Sequence, residues 1–164
     1  MILIGLGANL PSADFGAPTK TLEAAIAAIQ AKEIAITARS AFYESAPVPD
    51  SDQPWFVNSV IRVETALKPR PLLDVLLEIE RQFGRRRSAL NAPRVLDLDL
   101  LAYGAHATGP DACPVLPHPR MHERAFVLLP LAEIAPDWRH PADQTPVRAL
   151  IARLPSGQTA RLCS

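Results

Sequence analysis

The chain is poor in cysteine, in aromatic residues and in net charge, and each shortage argues against a class of protein. Of its 164 residues only Cys113 and Cys163 are cysteines, far apart and in neither a disulfide framework nor a zinc-binding spacing. There are 17 basic and 17 acidic residues, so no net charge attracts the chain to nucleic acid or to an anionic membrane. Aromatic residues are 5% of the total, which leaves few side chains to stack on nucleobases. This composition suits a reducing compartment, and we expect a cytoplasmic location.

Long hydrophobic runs are also missing. No stretch approaches the roughly 18 consecutive apolar residues of a membrane span, so we expect no membrane association. The apolar first ten residues lack a basic start and contain Gly5 and Gly7, which predicts a first strand instead of a signal peptide. The length fits a single domain, residues 1–164, with a core of its own.

The most informative stretch is residues 93–101, in which leucine alternates with aspartate. Successive side chains of a strand point to opposite faces, so this period of two predicts a strand whose leucines face a core. Asp97 and Asp99 then lie side by side on the other face. Such carboxylates repel each other unless a cation lies between them. Mg²⁺ suits the pair, with waters and substrate phosphates as further ligands, although a solvated strand face is the alternative.

Arginines are concentrated just before this acidic strand. The cluster consists of Arg81, Arg85, Arg86, Arg87 and Arg94. Guanidinium groups bind phosphate oxygens through paired hydrogen bonds. Carboxylates for a metal beside arginines for phosphates are the components of phosphoryl-type transfer. The alternatives are a solvated cationic turn after a helix and a nucleic-acid surface, which zero net charge and few aromatics disfavour.

Other chemistry-bearing residues allow two interpretations each. Asn58 lies in an otherwise apolar strand, where its amide could bind the edge of an amino-pyrimidinone ring or neighbouring backbone groups. Phe56 and Phe126 are either core residues or stacking faces for a flat heterocycle. His118 and His122 are four residues apart, but prolines flank His118 and no cysteine completes a zinc set. We therefore interpret His118 as a ligand's hydrogen-bond partner or as an ordinary loop histidine.

The order of predicted elements gives the fold class. The predicted strands cover 2–6, 34–43, 56–67 and 95–103. The predicted helices cover 22–29, 72–83, 123–134 (broken or kinked at Pro130) and 146–154. Residues 44–54 contain three prolines and are expected to form a loop. The β-α-β-β-α-β order is typical of a ferredoxin-like fold, an α+β sandwich with a mostly antiparallel sheet and packed helices.

Four stretches resemble one family, in the same order along the chain. They are residues 5–10, 42–58, 94–101 and 117–131. Together they resemble the 6-hydroxymethyl-7,8-dihydropterin pyrophosphokinase family of folate biosynthesis, over about residues 2–155. The resemblance implies an enzyme that transfers pyrophosphate from ATP to the pterin hydroxymethyl group and releases AMP.

The resemblance also implies roles for individual residues. Asp97 and Asp99 would be the ligands of two Mg²⁺ ions that bridge the ATP phosphates. The implied catalytic residues are Arg85, Arg94, Asp97 and Asp99. The implied ATP-binding residues are Glu80, Arg85, Arg87, Arg94, His118 and Arg124. The implied pterin-binding residues are Ser45, Ala46, Val48, Phe56, Asn58 and Phe126, with the two phenylalanines stacking on the ring. The resemblance further implies a monomer whose partners are these two substrates.

One segment departs from the family pattern. Residues 90–94 stand where the family often has a basic residue and Trp-Gly-Pro-Arg, and they are about one residue shorter. The aromatic residue that closes over the pterin is therefore missing or supplied elsewhere, for example by Trp55. Two other functions stay open: a non-catalytic nucleotide- or pterin-binding paralogue, which this departure favours, and an RNA-binding ferredoxin-like module. The latter would need exposed aromatics on its central strands, where this chain has carboxylates.

Overall fold

Six strands and four α-helices form the part of the chain that this computed structural model describes, residues 1–84 and 93–164. The strands are β1 (Ile2–Ala8), β2 (Ala35–Arg39), β3 (Tyr43–Ser45), β4 (Phe56–Glu64), β5 (Asp97–Tyr103) and β6 (Ala160–Leu162). The helices are α1 (Pro18–Gln30), α2 (Pro69–Gln82), α3 (Ala125–Ile134) and α4 (Val147–Ala152). A 3₁₀ turn at Met121–Glu123 precedes α3. In these two ranges, no helix is both long and apolar enough to cross a membrane.

The strands form one sheet in the order β5-β1-β4-β3-β6, and β2 pairs with the other end of β4. All of these pairings are antiparallel, so the predicted α+β class with a mostly antiparallel sheet is confirmed. The register sets Gly5 opposite Asp99, and Gly7 opposite both Asp97 and Asn58. The acidic residues of β5 therefore lie beside a strip of the central strand that has no side chains.

Apolar side chains cover both faces of the sheet and form two cores. On one face, Leu96, Leu98 and Leu100 share a core with α1 and α2. On the other face, Leu3 and Leu101 share a core with α3 and α4. Full burial of one leucine contributes about 1.5–3 kcal/mol, and a one-residue slip would turn the leucines of β5 to the opposite face. Core formation thus directs the two carboxylates of β5 to the face opposite the leucines, as the sequence predicts, and the structure shows that this is the α3 side.

The strand predicted over 34–43 is two strands in the structure. Buried Ser40 separates β2 from β3, and its hydroxyl accepts a hydrogen bond from the backbone N–H of Val60 at 3.0 Å and donates to the carbonyl of Ala41 at 2.8 Å. A side chain thus takes the place of a ladder bond, which allows the chain to change direction. Strand β3 then extends to Ser45, in a stretch predicted to be loop.

Two C-terminal elements also differ from the prediction. Strand β6 is unpredicted because its three residues are largely exposed and have no apolar period; only pairing with β3 defines it. The sequence predicted a break or a kink at Pro130; helix α3 continues through this residue, so the break is wrong. The missing proline N–H costs one helix bond, but Val127, Leu128 and Leu131 are buried in the second core and hold both sides of the helix in place.

Candidate active site

A cavity of about 540 Å³ opens on the α3 side of the sheet, a volume typical of a small-molecule site. Strands β1, β4 and β5 form its floor, and residues 45–53 and 118–127 form its walls. Eleven of the residues that the sequence analysis proposed line it: Ser45, Ala46, Val48, Phe56, Asn58, Arg94, Asp97, Asp99, His118, Arg124 and Phe126. Residues distant in the sequence thus meet in one place because the central strands bring β4 and β5 together.

The two aspartates lie at one end of this cavity, each near a guanidinium group. Arg94 Nη1 is 2.7 Å from Oδ1 of Asp97, and Arg124 Nη1 is 4.0 Å from Oδ2 of Asp99. These ion pairs are only partly exposed, so salt screens them less than it would surface pairs. Burial lowers the pKa of Arg124 from its ordinary value, but an arginine remains charged near neutral pH. This end of the cavity therefore combines two carboxylates with two cations.

The donor set fits Mg²⁺ better than zinc. Across residues 1–84 and 93–164, no group of three or more His, Cys, Asp or Glu side chains could hold a metal by itself. Mg²⁺ commonly takes one or two carboxylates and completes its shell with waters and substrate phosphates. Asp97 and Asp99 supply those carboxylates, and Gly7 beside Asp97 leaves room for the other ligands, whereas the Leu101 side chain fills the space beside Gly5. His122 instead stacks edge-on against His140, with 5.8 Å between ring centroids.

Asn9, which the sequence analysis did not single out, fixes the position of Arg94. Its buried amide accepts a hydrogen bond from the Arg94 N–H at 2.8 Å. The same amide donates to the carbonyl of Pro54 at 3.1 Å and to Oε1 of Gln53 at 3.3 Å. The backbone N–H groups of Asn9 and Leu10 both donate to the carbonyl of Arg94. One signal was available in the sequence, an amide side chain directly after a buried strand.

Asn58 presents its oxygen, and not its NH₂ group, to the cavity. Nδ2 donates to Oγ of Ser45 at 2.9 Å and to the carbonyl of Tyr43 at 3.3 Å. Oδ1 lies on the Gly7 side, where a Cβ added to Gly7 would be 3.4 Å away. The amide therefore offers an acceptor to a ligand, and the Ser45 hydroxyl fixes its orientation.

His118 is a neutral hydrogen-bond donor at this site. Burial and then the nearby Arg124 lower its pKa from the ordinary 6.5 to about 4, outweighing the opposite effect of Asp97. Its Nδ1 accepts a hydrogen bond from the backbone N–H of Arg120 at 3.2 Å. In the neutral ring the proton is then on Nε2. His118 can thus donate to a ligand oxygen without adding charge.

Comparison with known proteins identifies the family of this chain. Residues 3–136 match the model of the 7,8-dihydro-6-hydroxymethylpterin-pyrophosphokinase (HPPK) family. The chain belongs to this family. The 2-amino-4-hydroxy-6-hydroxymethyldihydropteridine pyrophosphokinase of Methylorubrum extorquens is 44% identical over 157 residues, which cover 94% of both chains. Its Haemophilus influenzae counterpart is 42% identical over 142 residues, covering 86% of this chain and 85% of that protein.

The fold is also found among solved structures. A crystal structure of a Plasmodium falciparum HPPK-DHPS triple mutant aligns with a TM-score of 0.69 over 93% of this chain and 44% of that chain. The sequence identity is 14%, so this match concerns the fold alone. The resemblance to the HPPK family that the motifs indicated is thus confirmed by the family model and by the relatives.

Three of the residues proposed from the HPPK resemblance are not seen in the cavity lining. Glu80 is fully buried in α2, on the other side of β5, and its Oε1 accepts the N–H of Leu98 at 2.6 Å. In this position Glu80 supports the strand between the two aspartates, and its expected contact with ATP stays a prediction. Arg85 and Arg87 lie outside the described residues.

Of the three aromatic residues that the sequence suggested for the site, two line the cavity and one does not. Phe56 and Phe126 are half-buried and line the cavity. The guanidinium of Arg124 lies 5.5 Å from the ring centroid of Phe126, so a charged and an aromatic group are in contact in the cavity wall formed by residues 118–127. Trp55, a candidate for the missing HPPK lid aromatic, is not part of the lining; the guanidinium of Arg161 covers its ring at 5.1 Å.

Proposed function

We propose that this chain transfers pyrophosphate from ATP to the hydroxymethyl group of 6-hydroxymethyl-7,8-dihydropterin and releases AMP, in folate biosynthesis. One observation carries the proposal. A single cavity combines a carboxylate pair flanked by arginines with a buried amide acceptor and two aromatic rings. The first set suits a metal and phosphates, and the second suits a flat heterocycle. Membership of the HPPK family supports the same assignment.

The pterin occupies the Asn58 end of the cavity in this proposal. Oδ1 of Asn58 accepts a ring N–H, since both Nδ2 hydrogens are used by Ser45 and Tyr43. Phe56 and Phe126 stack on the ring, because both line the cavity. Ser45, Ala46 and Val48 form the adjoining wall. A buried polar group that matches its ligand also gives specificity, because an analogue without the N–H would leave Oδ1 unpaired.

The triphosphate occupies the Asp97 end. Asp97 and Asp99 hold Mg²⁺, two ions in our proposal, and the bound metal supplies charge neutralisation on the phosphates. Arg94 and Arg124 exchange their carboxylate partners for phosphate oxygens, and Nε2 of His118 donates to another. Arg85 and Arg87 are assigned to ATP on the resemblance alone. The proposed catalytic residues remain Arg85, Arg94, Asp97 and Asp99.

The reaction exchanges one P–O bond for another. The pterin hydroxymethyl oxygen forms a bond to the β-phosphorus of ATP, and the bond from that phosphorus to the α,β-bridging oxygen breaks. AMP leaves with the bridging oxygen, and the hydroxyl proton passes to solvent water. Gly7 lies between Asp97 and Asn58 in the sheet register, so the acceptor hydroxyl can reach Asp97 while the ring remains at Asn58. Arg94 and Arg124 stabilise charge on the transferred group.

We also propose that the protein works as a monomeric single domain, residues 1–164, in the cytoplasm, without nucleic acid or membrane partners. Strand β6 at the C-terminal end joins the same sheet as β1, which supports one domain. Both described cysteines are free thiols, which suits a reducing compartment. Size-exclusion chromatography with light scattering tests the monomeric state. Salt-sensitive binding to RNA would argue against the absence of nucleic acid partners.

The test of the proposed reaction is AMP release from Mg²⁺-ATP with and without the pterin. We expect pterin-dependent AMP from the wild type and at least a roughly 10²-fold loss in Asp97→Ala, the scale of removing one electrostatic stabiliser. Gln30→Ala, at the exposed end of α1, is the matched surface control. Pterin binding without AMP release would instead favour the non-catalytic paralogue.

A further inference from the structure

Arg124 occupies a position that usually belongs to another kind of residue. It is the N-cap of α3, with φ −118° and ψ 114°, and its side chain makes no capping hydrogen bond. Ser, Thr, Asp or Asn normally takes this place and accepts a bond from a free N–H of the first turn. Here the side chain is directed to the cavity, toward Asp99 and Phe126. The helix therefore needs a capping group from elsewhere.

Gln158 supplies it from 34 positions further along the chain. Its Oε1 accepts the N–H of Ala125 at 2.8 Å, and its Nε2 donates to the carbonyl of Glu123 at 2.6 Å. These two groups belong to the two peptide units on either side of Arg124. One side-chain amide thus bonds both peptide planes, and it fixes the backbone dihedrals that set the direction of the Arg124 side chain.

The segment that carries Gln158 is itself fixed to the opposite wall of the cavity. The carbonyl of Thr159 accepts the N–H of Ala46 at 3.2 Å. The next residue, Ala160, pairs with Ser45 in the ladder between β6 and β3. One short segment therefore contacts the wall that carries Ser45 and, through Gln158, the wall that carries Arg124.

We propose that Gln158 is a positioning residue for Arg124, which aims the guanidinium into the cavity and couples the nucleotide wall to the pterin wall. This inference rests on the proposed function, in which Arg124 binds the ATP phosphates. Gln158 lies outside residues 3–136, the part of the chain that the family model matches. Loss of the two bonds would leave every other group that we assign to the substrates in place, while widening the range of directions that the Arg124 side chain adopts.

The decisive comparison is a double-mutant cycle with Arg124→Ala. We expect Gln158→Ala to raise the KM for ATP about 10-fold, the effect of losing two positioning hydrogen bonds, with the KM for pterin changed less. Gln158→Glu keeps an acceptor for the Ala125 N–H and loses the donor to Glu123, so it should restore part of the ATP affinity. In the Arg124→Ala background, Gln158→Ala should add less than about a 2-fold change, because coupled residues are non-additive. Gln30→Ala is again the control.

Binding and exchange measurements keep this test independent of turnover. α,β-Methylene-ATP has a carbon in the α,β-bridging position, so its bond to the β-phosphorus cannot be cleaved in the reaction. Calorimetry with Mg²⁺ and this analogue should show the same loss of nucleotide affinity in Gln158→Ala. Amide hydrogen exchange should show faster exchange at Ala125 in that variant. The proposal is overturned by unchanged ATP affinity in Gln158→Ala, or by an equal loss in both backgrounds, which would indicate a general effect on folding. Wild-type protein that binds the nucleotide without releasing AMP would refute the proposed reaction, while the binding cycle would still decide the role of Gln158.

Discussion

Replacing Gly7 with alanine should separate function from stability. Gly7 is in the central strand, opposite both Asp97 and Asn58, and its missing side chain leaves the cavity floor open. An alanine Cβ would lie 3.4 Å from Oδ1 of Asn58, an ordinary van der Waals distance, and apart from its chain neighbours no other heavy atom of residues 1–84 and 93–164 lies within 4 Å of it. The fold can therefore accept the methyl group, but the methyl group covers the acceptor that we assign to the pterin.

The expected changes have opposite signs. Gly→Ala at an unstrained position stabilises a protein by about 0.4–1 kcal/mol, because the unfolded chain loses freedom. For a chain of this size, that corresponds to a Tm higher by about 1–4 °C. Blocking the Asn58 oxygen leaves a buried ring N–H without its partner, which costs about 1–3 kcal/mol. At 1.4 kcal/mol per factor of ten, the KM for pterin should rise by about 5- to 150-fold.

Steady-state kinetics and thermal unfolding of the same preparations measure both effects. Gly109→Ala is the matched control, since a Cβ there would contact nothing in the described part of the chain within 4 Å and the position lies away from the cavity lining. It should share the small gain in Tm and keep wild-type kinetics. A Gly7→Ala protein with a normal KM for pterin would refute the assignment of Asn58. A markedly lower Tm would refute the claim that the floor has room for the methyl group.

Three other predictions concern the groups that support the site. Asn9→Ala removes the acceptor of the Arg94 N–H and the donor to the Pro54 carbonyl. It should therefore lower the free energy of unfolding by about 2–3 kcal/mol. An unchanged midpoint in a urea titration would contradict this. Glu80→Ala leaves the buried N–H of Leu98 without this acceptor and should cost at least about 1–3 kcal/mol by the same titration, with lower affinity for Mg²⁺-ATP. The pKa of His118 is about 4 in the folded protein against an ordinary 6.5, so the unfolded chain takes up the proton first and stability falls as the pH drops from 6.5 toward 4. In metal-free protein this loss should be about 1–2 kcal/mol after allowance for solvent screening, and it should disappear in His118→Gln.

The sequence predicted those parts of the site that depend on a local period. Leucine and aspartate alternate in β5, and burial of the leucines is sufficient to place Asp97 and Asp99 together on the other face. It could not predict that Ser40 replaces a ladder bond and divides one expected strand into two, because the period of two continues across it.

Pairings between residues far apart in the chain could not be predicted from the sequence either. Gln158 contacts residues more than 30 positions away, and β6 exists only because β3 is beside it. The neutral state of His118 depends on burial by residues from several elements, which no local pattern encodes. Glu80 lies within the helix predicted over 72–83, but only the packed structure shows that its side chain is buried and that it accepts the N–H of Leu98.

The measurement that tests the central claim most directly is ³¹P NMR of the reaction of Mg²⁺-ATP with 6-hydroxymethyl-7,8-dihydropterin. Attack at the β-phosphorus predicts equal amounts of AMP and a pterin diphosphate ester, which gives two coupled phosphorus signals, and no ADP. Products that consist of ADP and a pterin monophosphate would contradict the account, because they would place the attack at the γ-phosphorus. AMP that forms at the same rate without the pterin would contradict it as well.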